Sequence, residues 1–256
     1  MPRVLIAITL LLIATIPALA DRADQPLPPL ETIIKNAVEH SKKEPENDRL
    51  FQQRYEFIRT KITEYRNGDG ELTKREQKTN INHVRIASAH PAAKPKAAPL
   101  RTPKAEAKPR DPNKVDKNDI LLNEDLFSRF QFNLIGREQI GGRSALVLDF
   151  KPANKKLPNN NFKDRFINIA AGRLWVDEEE AALVKADLHL TEKVNVIGGI
   201  VGAVGKFNCT LDRARTTDGL WFTRAMDWHL EGRVALAHRT IDYHEEKTGV
   251  QNKVTR

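Results

Sequence analysis

Hydrophobic and polar side chains alternate at a period of two along most of this chain. From Ala181 to Glu192, apolar side chains at every second position alternate with polar ones such as Lys185 and His189. The same alternation returns from Ala203 to Asp212 and from Leu220 to Glu231. Because neighbouring side chains of a β-strand point to opposite faces, this pattern predicts strands that are apolar on one side and polar on the other.

Two segments show helical spacing instead. Pro29 to Glu46 carries apolar residues on one stripe, with Pro45 near its end, and Asn118 to Phe130 carries a second, shorter apolar stripe. Each pattern predicts an amphipathic helix with one face to bury. Glycine-rich turns such as Asn67–Gly70 and Gly141–Gly142 separate the predicted strands and indicate hairpins.

The order of these elements predicts a mainly β fold with some α structure. Strands joined by hairpins, without helices between them, form an antiparallel sheet. We predict about nine strands, which is enough for a strongly curled, unclosed half-barrel. The two predicted helices would cover its apolar face, and the space below them is either a packed core or a cavity for an apolar ligand.

The first 20 residues have the pattern of a secretory signal. Arg3 precedes an apolar run from Val4 to Ile13, and Ala18-Leu19-Ala20 forms a cleavage site before Asp21. We therefore expect residues 21–256 to form a single domain in the periplasm or outside the cell. An uncleaved anchor is the less favoured alternative, because the run is shorter than the roughly 20 residues of a spanning helix.

Much of the positive charge lies in one segment with few large apolar side chains. The chain has a net charge of +8, and residues 90–114 contain seven basic side chains against two acidic ones. Proline and alanine are also frequent, which predicts a disordered, extended basic insert over residues 88–116. It is either a solvated linker or a peripheral contact to an anionic membrane or partner. We expect no nucleic-acid partner, since the rest of the exported chain is nearly neutral.

Four short stretches resemble those of a known superfamily. Phe132–Gly136 and Gly142–Phe150 have the pattern of a hairpin with one apolar face, and Gly172–Asp177 and Asp218–Phe222 each place tryptophan after a glycine turn. Together with the signal, the N-terminal helix, the long first hairpin and the helical insert, this order resembles the bacterial lipoprotein-carrier superfamily. That superfamily includes the periplasmic lipoprotein chaperone, its outer-membrane receptor and outer-membrane lipoprotein-sorting proteins. The resemblance spans most of residues 29–245.

The resemblance implies a non-catalytic carrier that holds acyl chains of a lipid or lipid-modified protein in an apolar half-barrel. The residues predicted to bind lipid are Leu146, Leu148, Phe150, Val184, Leu188, Leu190, Phe207, Phe222, Met226, Trp228 and Leu230. The alternative is that these residues form an ordinary filled core, in which case the protein is a structural or interaction domain of the cell envelope. Arg143 and Arg173 lie near positions where the superfamily uses charged residues. We expect no cofactor, and the sequence does not determine the oligomeric state.

The segment from Val194 to Gly205 is rich in glycine and small apolar residues. It does not match a phosphate-binding loop, because Ile200 stands where the first glycine belongs. One interpretation is an apolar tip at which Ile197, Ile200 and Val201 contact membrane or cargo. The alternative is a glycine-rich strand that passes close to a helix.

Three Asp-x-His pairs occur, namely Asp187/His189, Asp227/His229 and Asp242/His244. Strand spacing places both members of each pair on one face, where neighbouring pairs could bind a divalent metal ion. Asp and His are also ordinary neighbours on a solvated face, so we predict no metal site. We also expect no enzyme active site, because no serine or cysteine lies in an elbow turn and the lone Cys209 has the pattern of a core residue.

Overall fold

A computed structural model of the protein describes residues 25–83, 123–196, 202–234 and 237–253. The four described helices are α1 (Leu30–Ser41), α2 (Glu44–Arg54), α3 (Glu124–Ser128) and α4 (Phe162–Ile167). The ten described strands are β1 (Tyr55–Arg66), β2 (Leu72–Asn82), β3 (Phe130–Ile140), β4 (Arg143–Pro152), β5 (Ala170–Asp177), β6 (Leu183–Leu190), β7 (Val194–Val196), β8 (Gly202–Arg215), β9 (Trp221–Val234) and β10 (Ala237–Asn252).

Three predictions concern residues outside this description. The secretory signal of residues 1–20, the basic insert of residues 88–116 and the apolar tip with Ile197, Ile200 and Val201 all lie outside the described residues. Among the described helices, no helix has both the length and the apolar character needed to cross a membrane.

All ten strands belong to one antiparallel sheet. Their spatial order is β2-β1-β10-β9-β8-β6-β5-β4-β3, and β7 pairs with β8 beside this path. The C-terminal strand β10 thus lies between the N-terminal hairpin and β9. Strands β2 and β3 end the path on opposite sides, so the sheet is unclosed. The predicted mainly β, curled antiparallel half-barrel is therefore confirmed, with ten strands rather than nine.

The N-terminal helical region differs from the single predicted helix. Helix α1 ends at Ser41, and α2 begins at Glu44 and continues to Arg54. Pro45 lies in the first turn of α2, where a missing amide proton breaks no helical hydrogen bond. Within α2, Phe51 is the residue that is buried.

Helix α1 packs its apolar stripe onto one side of the sheet, which we call the inner face. Its residues Ile33, Ala37 and Val38 form a buried cluster with six residues of the sheet. Those six are Leu146, Leu148, Phe150, Leu174, Val176 and Ala186. Side chains of the protein itself thus occupy the space between α1 and strands β4 to β6.

Helix α2 closes one end of the inner face. Its Phe51 ring packs with Tyr55, Phe57 and Phe222, and the Phe51 and Phe222 ring centroids lie 4.6 Å apart. At the other end of the helix, Glu44 accepts hydrogen bonds of 2.7 Å from both Nη atoms of Arg213 on β8. An aromatic cluster and an ion pair therefore fix α2 to the sheet.

The glycine turn predicted at Gly172 is wrong, because helix α4 and the continuous strand β5 occupy this region. Residues 162–167 form a helix because the Asn161 side chain caps it by accepting a hydrogen bond of 2.8 Å from the Asp164 amide. Residues 170–177 form one continuous strand. Gly172 lies within this strand. No side chain fits at this position, since a Cβ atom there would stand 2.0 Å from the Asp187 carbonyl oxygen. The glycine serves a close approach of β5 and β6, not a turn.

Candidate functional site

The inner face continues beyond α1 as a strip across β8, β9 and β10. Cys209 stands opposite Leu188 on one side and opposite Trp228 on the other, and Trp228 in turn stands opposite Tyr243. Residues directly opposite one another in antiparallel strands share a face. The strip is therefore a direct extension of the surface that α1 covers at β4 to β6.

Four aromatic side chains form a row along this strip. The ring centroid of Phe207 lies 5.1 Å from that of Phe166 on α4 and 6.2 Å from that of Trp228. Trp228 stacks on Tyr243 at 5.1 Å, with 12° between the ring planes. We call Phe166, Phe207, Trp228 and Tyr243 the aromatic row.

The aromatic row is only partly buried. Its four residues retain some exposure, as do the neighbouring Met226, Leu230 and Ile241. The described clusters beneath α1 and α2 include none of these seven side chains. The row is thus an apolar surface that these two helices leave accessible.

The predicted lipid-binding residues fall into separate groups. Leu146, Leu148 and Phe150 are buried beneath α1, and Phe222 is buried beneath α2. The partly exposed strip contains Phe207, Met226, Trp228 and Leu230, with Leu188 and Leu190 at its margin. The structure thus brings together about half of the predicted set as an accessible surface.

Val184 does not share the inner face with the rest of that set. It packs with Ala145, Val147 and Trp175 on the opposite, outer face of the sheet. The cause is a register shift between β5 and β6, where Leu183 stands opposite Val176 but Lys185 stands opposite Trp175. This bulge reverses the side-chain alternation, so Val184 cannot line the same surface as Leu188.

The aromatic row ends beside a buried carboxylate. Glu245 is 5% exposed and accepts hydrogen bonds from Arg59 Nε at 2.6 Å and from the Tyr243 hydroxyl at 2.5 Å. Burial alone would raise the pKa of Glu245, but these hydrogen bonds outweigh it and hold the pKa at about 2. Burial also raises the pKa of Tyr243, and the neighbouring Glu245 raises it further. Both groups therefore keep their ordinary charge state at neutral pH.

Arg143 and Arg173 both form salt bridges away from the inner face. Arg143 Nε lies 2.6 Å from Asp177 Oδ2, and Arg173 Nε lies 2.6 Å from Asp149 Oδ1. Arg173 and Asp149 alternate with inner-face residues along their strands, so this bridge lies on the outer face. Neither arginine contacts the aromatic row.

The Asp-x-His residues lie on the outer face, and two pairs interact across strands rather than along them. His229 Nδ1 lies 2.6 Å from Asp242, and His244 Nδ1 lies 2.6 Å from Asp227. In the described ranges, no group of three or more His, Cys, Asp or Glu side chains is arranged to hold a metal ion. Sequence spacing did not reveal these cross-strand pairs, because they depend on the β9–β10 register.

No protein-family model and no curated protein matches the sequence. Among solved structures, the chain is similar to an outer membrane lipoprotein-sorting protein domain from Vibrio parahaemolyticus, at 9% identity over 87% of this chain and 94% of that chain, with a TM-score of 0.31. A LolA superfamily protein from Nitrosomonas europaea shows 11% identity over 83% and 92%, with a TM-score of 0.30. A DUF1329 family protein from Desulfovibrio piger shows 12% identity over 88% and 95%, with a TM-score of 0.29.

Proposed function

We propose that the protein is a non-catalytic carrier of the bacterial cell envelope that binds acyl chains of a lipid or lipid-modified protein along the aromatic row. The observation that supports this most directly is the partly exposed row of Phe166, Phe207, Trp228 and Tyr243, which lies beside the parts of the inner face that α1 and α2 cover. Each methylene group removed from water contributes about 0.8 kcal/mol, so an acyl chain laid on this row gains several kcal/mol without any reaction. The predicted secretory signal supports a periplasmic or secreted location.

Tryptophan fluorescence can test this function, because the three tryptophans differ in position. Trp175 and Trp221 are 5% and 3% exposed and pack in the outer-face cluster, whereas Trp228 belongs to the aromatic row. A fatty acid with bromine on its acyl chain should quench wild-type emission in a saturable way. The Trp228→Phe variant should lose this quenching, and the Trp175→Phe variant should keep it. Equal quenching in both variants, or none in the wild type, would contradict the proposal.

A structural or interaction domain with a filled core is the second candidate. The observation in its favour is the packing beneath α1, where Ile33 and Val38 belong to the same buried cluster as Leu148. This candidate predicts no affinity for acyl chains. Native mass spectrometry of freshly purified protein separates the two candidates, because only a carrier should retain a co-purified lipid.

We also propose that Ile197, Ile200 and Val201 contact membrane or cargo. The support is their apolar character within a glycine-rich segment, since three such side chains are unfavourable in water. Ile200→Glu should then weaken association with liposomes by at least about tenfold in a flotation assay. Unchanged partitioning of this variant would contradict the proposed contact.

A further inference from the structure

The inner face changes from apolar to basic where it passes from β10 to β1 and β2. The register places Lys61 opposite Glu245 on one side and opposite Lys78 on the other. It also places Lys74 opposite Tyr65, with Lys74 Nζ 5.5 Å from the centre of the Tyr65 ring. Lysine side chains thus line the margin of the strip that carries the aromatic row.

The negative charges at this margin do not balance the positive ones. The register assigns Arg59, Lys61, Lys74, Lys78 and Lys247 to the inner face of these strands, against Glu76 and Glu245. Glu245 is shared by Arg59 at 2.6 Å and Lys61 at 3.3 Å, and Glu76 is bound by Lys74 at 2.6 Å. Lys78 forms no salt bridge with a described residue. This part of the surface therefore attracts anions.

The apolar row leads directly to this basic margin. Thr63 of β1 stands opposite Tyr243, and Glu76 of β2 stands opposite Thr63, so the row of opposed residues continues from β8 into the charged region. Neighbouring strands lie roughly 5 Å apart, which places β1 about 10 Å from β9. A chain on the aromatic row and a head group at Lys61 and Lys78 are therefore within reach of one amphiphilic molecule.

We propose that the cargo is a lipid with an anionic head group, a carboxylate or a phosphate, which Lys61 and Lys78 hold while its acyl chain lies on the aromatic row. This inference rests on the proposed function, because it assigns the charge of the molecule that the carrier binds. Lysine ammonium groups suit both anions, since they act as flexible point charges without a fixed geometry. Because water reaches both lysine side chains, added salt should weaken their contribution to binding.

Titration calorimetry with ligands of equal chain length tests the inference. Dodecanoate carries the anionic head group, and dodecanol offers the same chain without charge. Wild type should bind dodecanoate about tenfold more tightly than dodecanol at low salt, which is the effect of roughly two surface charges. The double variant Lys61→Gln/Lys78→Gln should lose this preference but bind dodecanol as before. The matched control Lys155→Gln/Lys156→Gln removes the same charge from an exposed loop and should keep the preference.

The possible results separate the two proposals. Equal binding of dodecanoate and dodecanol by wild type would overturn the anionic head group and leave the acyl-binding function standing. A preference that survives in Lys61→Gln/Lys78→Gln would overturn the assignment to these lysines. Binding of neither ligand by wild type would overturn both proposals. Dodecanol binding by each variant also reports that it is folded.

Discussion

His244 lies directly opposite Asp227 in the β9–β10 pair, with its Nδ1 atom 2.6 Å from an Asp227 carboxylate oxygen. Its Nε2 atom faces a second carboxylate, that of Glu246, at 3.3 Å. A neutral imidazole has one N–H group, so it can donate to only one of these carboxylates. The protonated ring satisfies both contacts, and the hydrogen bond to Asp227 is the main cause of a raised pKa of His244.

His229 has the same arrangement, with Asp242 at 2.6 Å and Glu231 at 2.9 Å. Burial acts to lower the pKa of His229, but the hydrogen bonds to both carboxylates outweigh it and raise the pKa. Because both folded pKa values lie above that of the unfolded chain, this stabilisation is complete below about pH 6.5 and is lost as the pH rises through the folded values.

The double variant His229→Gln/His244→Gln should therefore show a flatter dependence of stability on pH. The two exposed pairs should add at most about 1 kcal/mol each to the free energy of unfolding at pH 6, and less at pH 9. Urea unfolding at several pH values measures the difference. The exposed His189→Gln serves as the control on the same face. Parallel curves for wild type and the double variant would contradict this prediction.

Loss of one partner of the Glu44–Arg213 pair should weaken the attachment of α2 to the sheet. Their side chains are 12% and 8% exposed, so Arg213→Met leaves a carboxylate with little access to water. His40 Nε2 stays 3.5 Å from Glu44, so we expect a loss of about 2 kcal/mol in the free energy of unfolding, less than for an uncompensated buried charge. The double variant Glu44→Met/Arg213→Met should recover part of that loss.

Arg49→Met is the matched control for this experiment. Arg49 also pairs with a glutamate of α2, Glu46, but their side chains are 52% and 58% exposed. Chemical denaturation of the variants gives the comparison. A loss for Arg213→Met as small as that for Arg49→Met would show that the buried pair does not hold the helix in place.

Gly172→Ala should destabilise the fold where Gly205→Ala does not. A methyl group at residue 172 would meet backbone atoms of β6 at 2.0 to 2.9 Å, whereas the nearest atom at residue 205 is the Glu231 carbonyl oxygen at 3.5 Å. Because backbone cannot move aside as a side chain can, we expect a cost of about 1 to 3 kcal/mol at residue 172. Thermal unfolding measures both variants. Equal melting temperatures for Gly172→Ala and Gly205→Ala would contradict the close approach of β5 and β6.

Cys209 should report ligand binding through its reactivity. Burial raises the pKa of its thiol to about 11, with further contributions from Asp227 and Asp187. Its reaction with iodoacetamide at pH 8 should thus be slow in the folded protein and fast in urea. Because Cys209 stands between Leu188 and Trp228, saturating dodecanoate should slow the reaction further. An unchanged rate would argue against binding at the aromatic row.

Much of the sheet could be predicted from the sequence, because alternation directly reflects which side of a strand is buried. The hairpin of β3 and β4 and the strands β8 and β9 follow the predicted pattern closely. The ends of the helices were harder to predict from the sequence. Pro45 ends a helix in most contexts, but here it lies in the first turn of the next one.

The candidate site was predicted only in part, for reasons of register. The alternation from Ala182 to Leu190 indicates a single face, but the bulge opposite Trp175 moves Val184 to the other side. Likewise, Lys61 and Lys78 are candidates for binding a head group only because they stand opposite one another, with Glu245 opposite Lys61 on the other side. Pairings between strands so distant in the chain leave no signal in local composition or spacing.

The position of β10 between β1 and β9 has a consequence for biosynthesis. Arg59 and Glu245, which join β1 to β10, lie 186 positions apart. The N-terminal hairpin can therefore pair with β10 only after nearly the whole polypeptide has been made. Such distant pairings make folding slow. A chain that is threaded through a translocation channel N-terminus first would therefore emerge with β1 and β2 unprotected until the last strand is released, which makes this interval the stage at which a chaperone would be needed most.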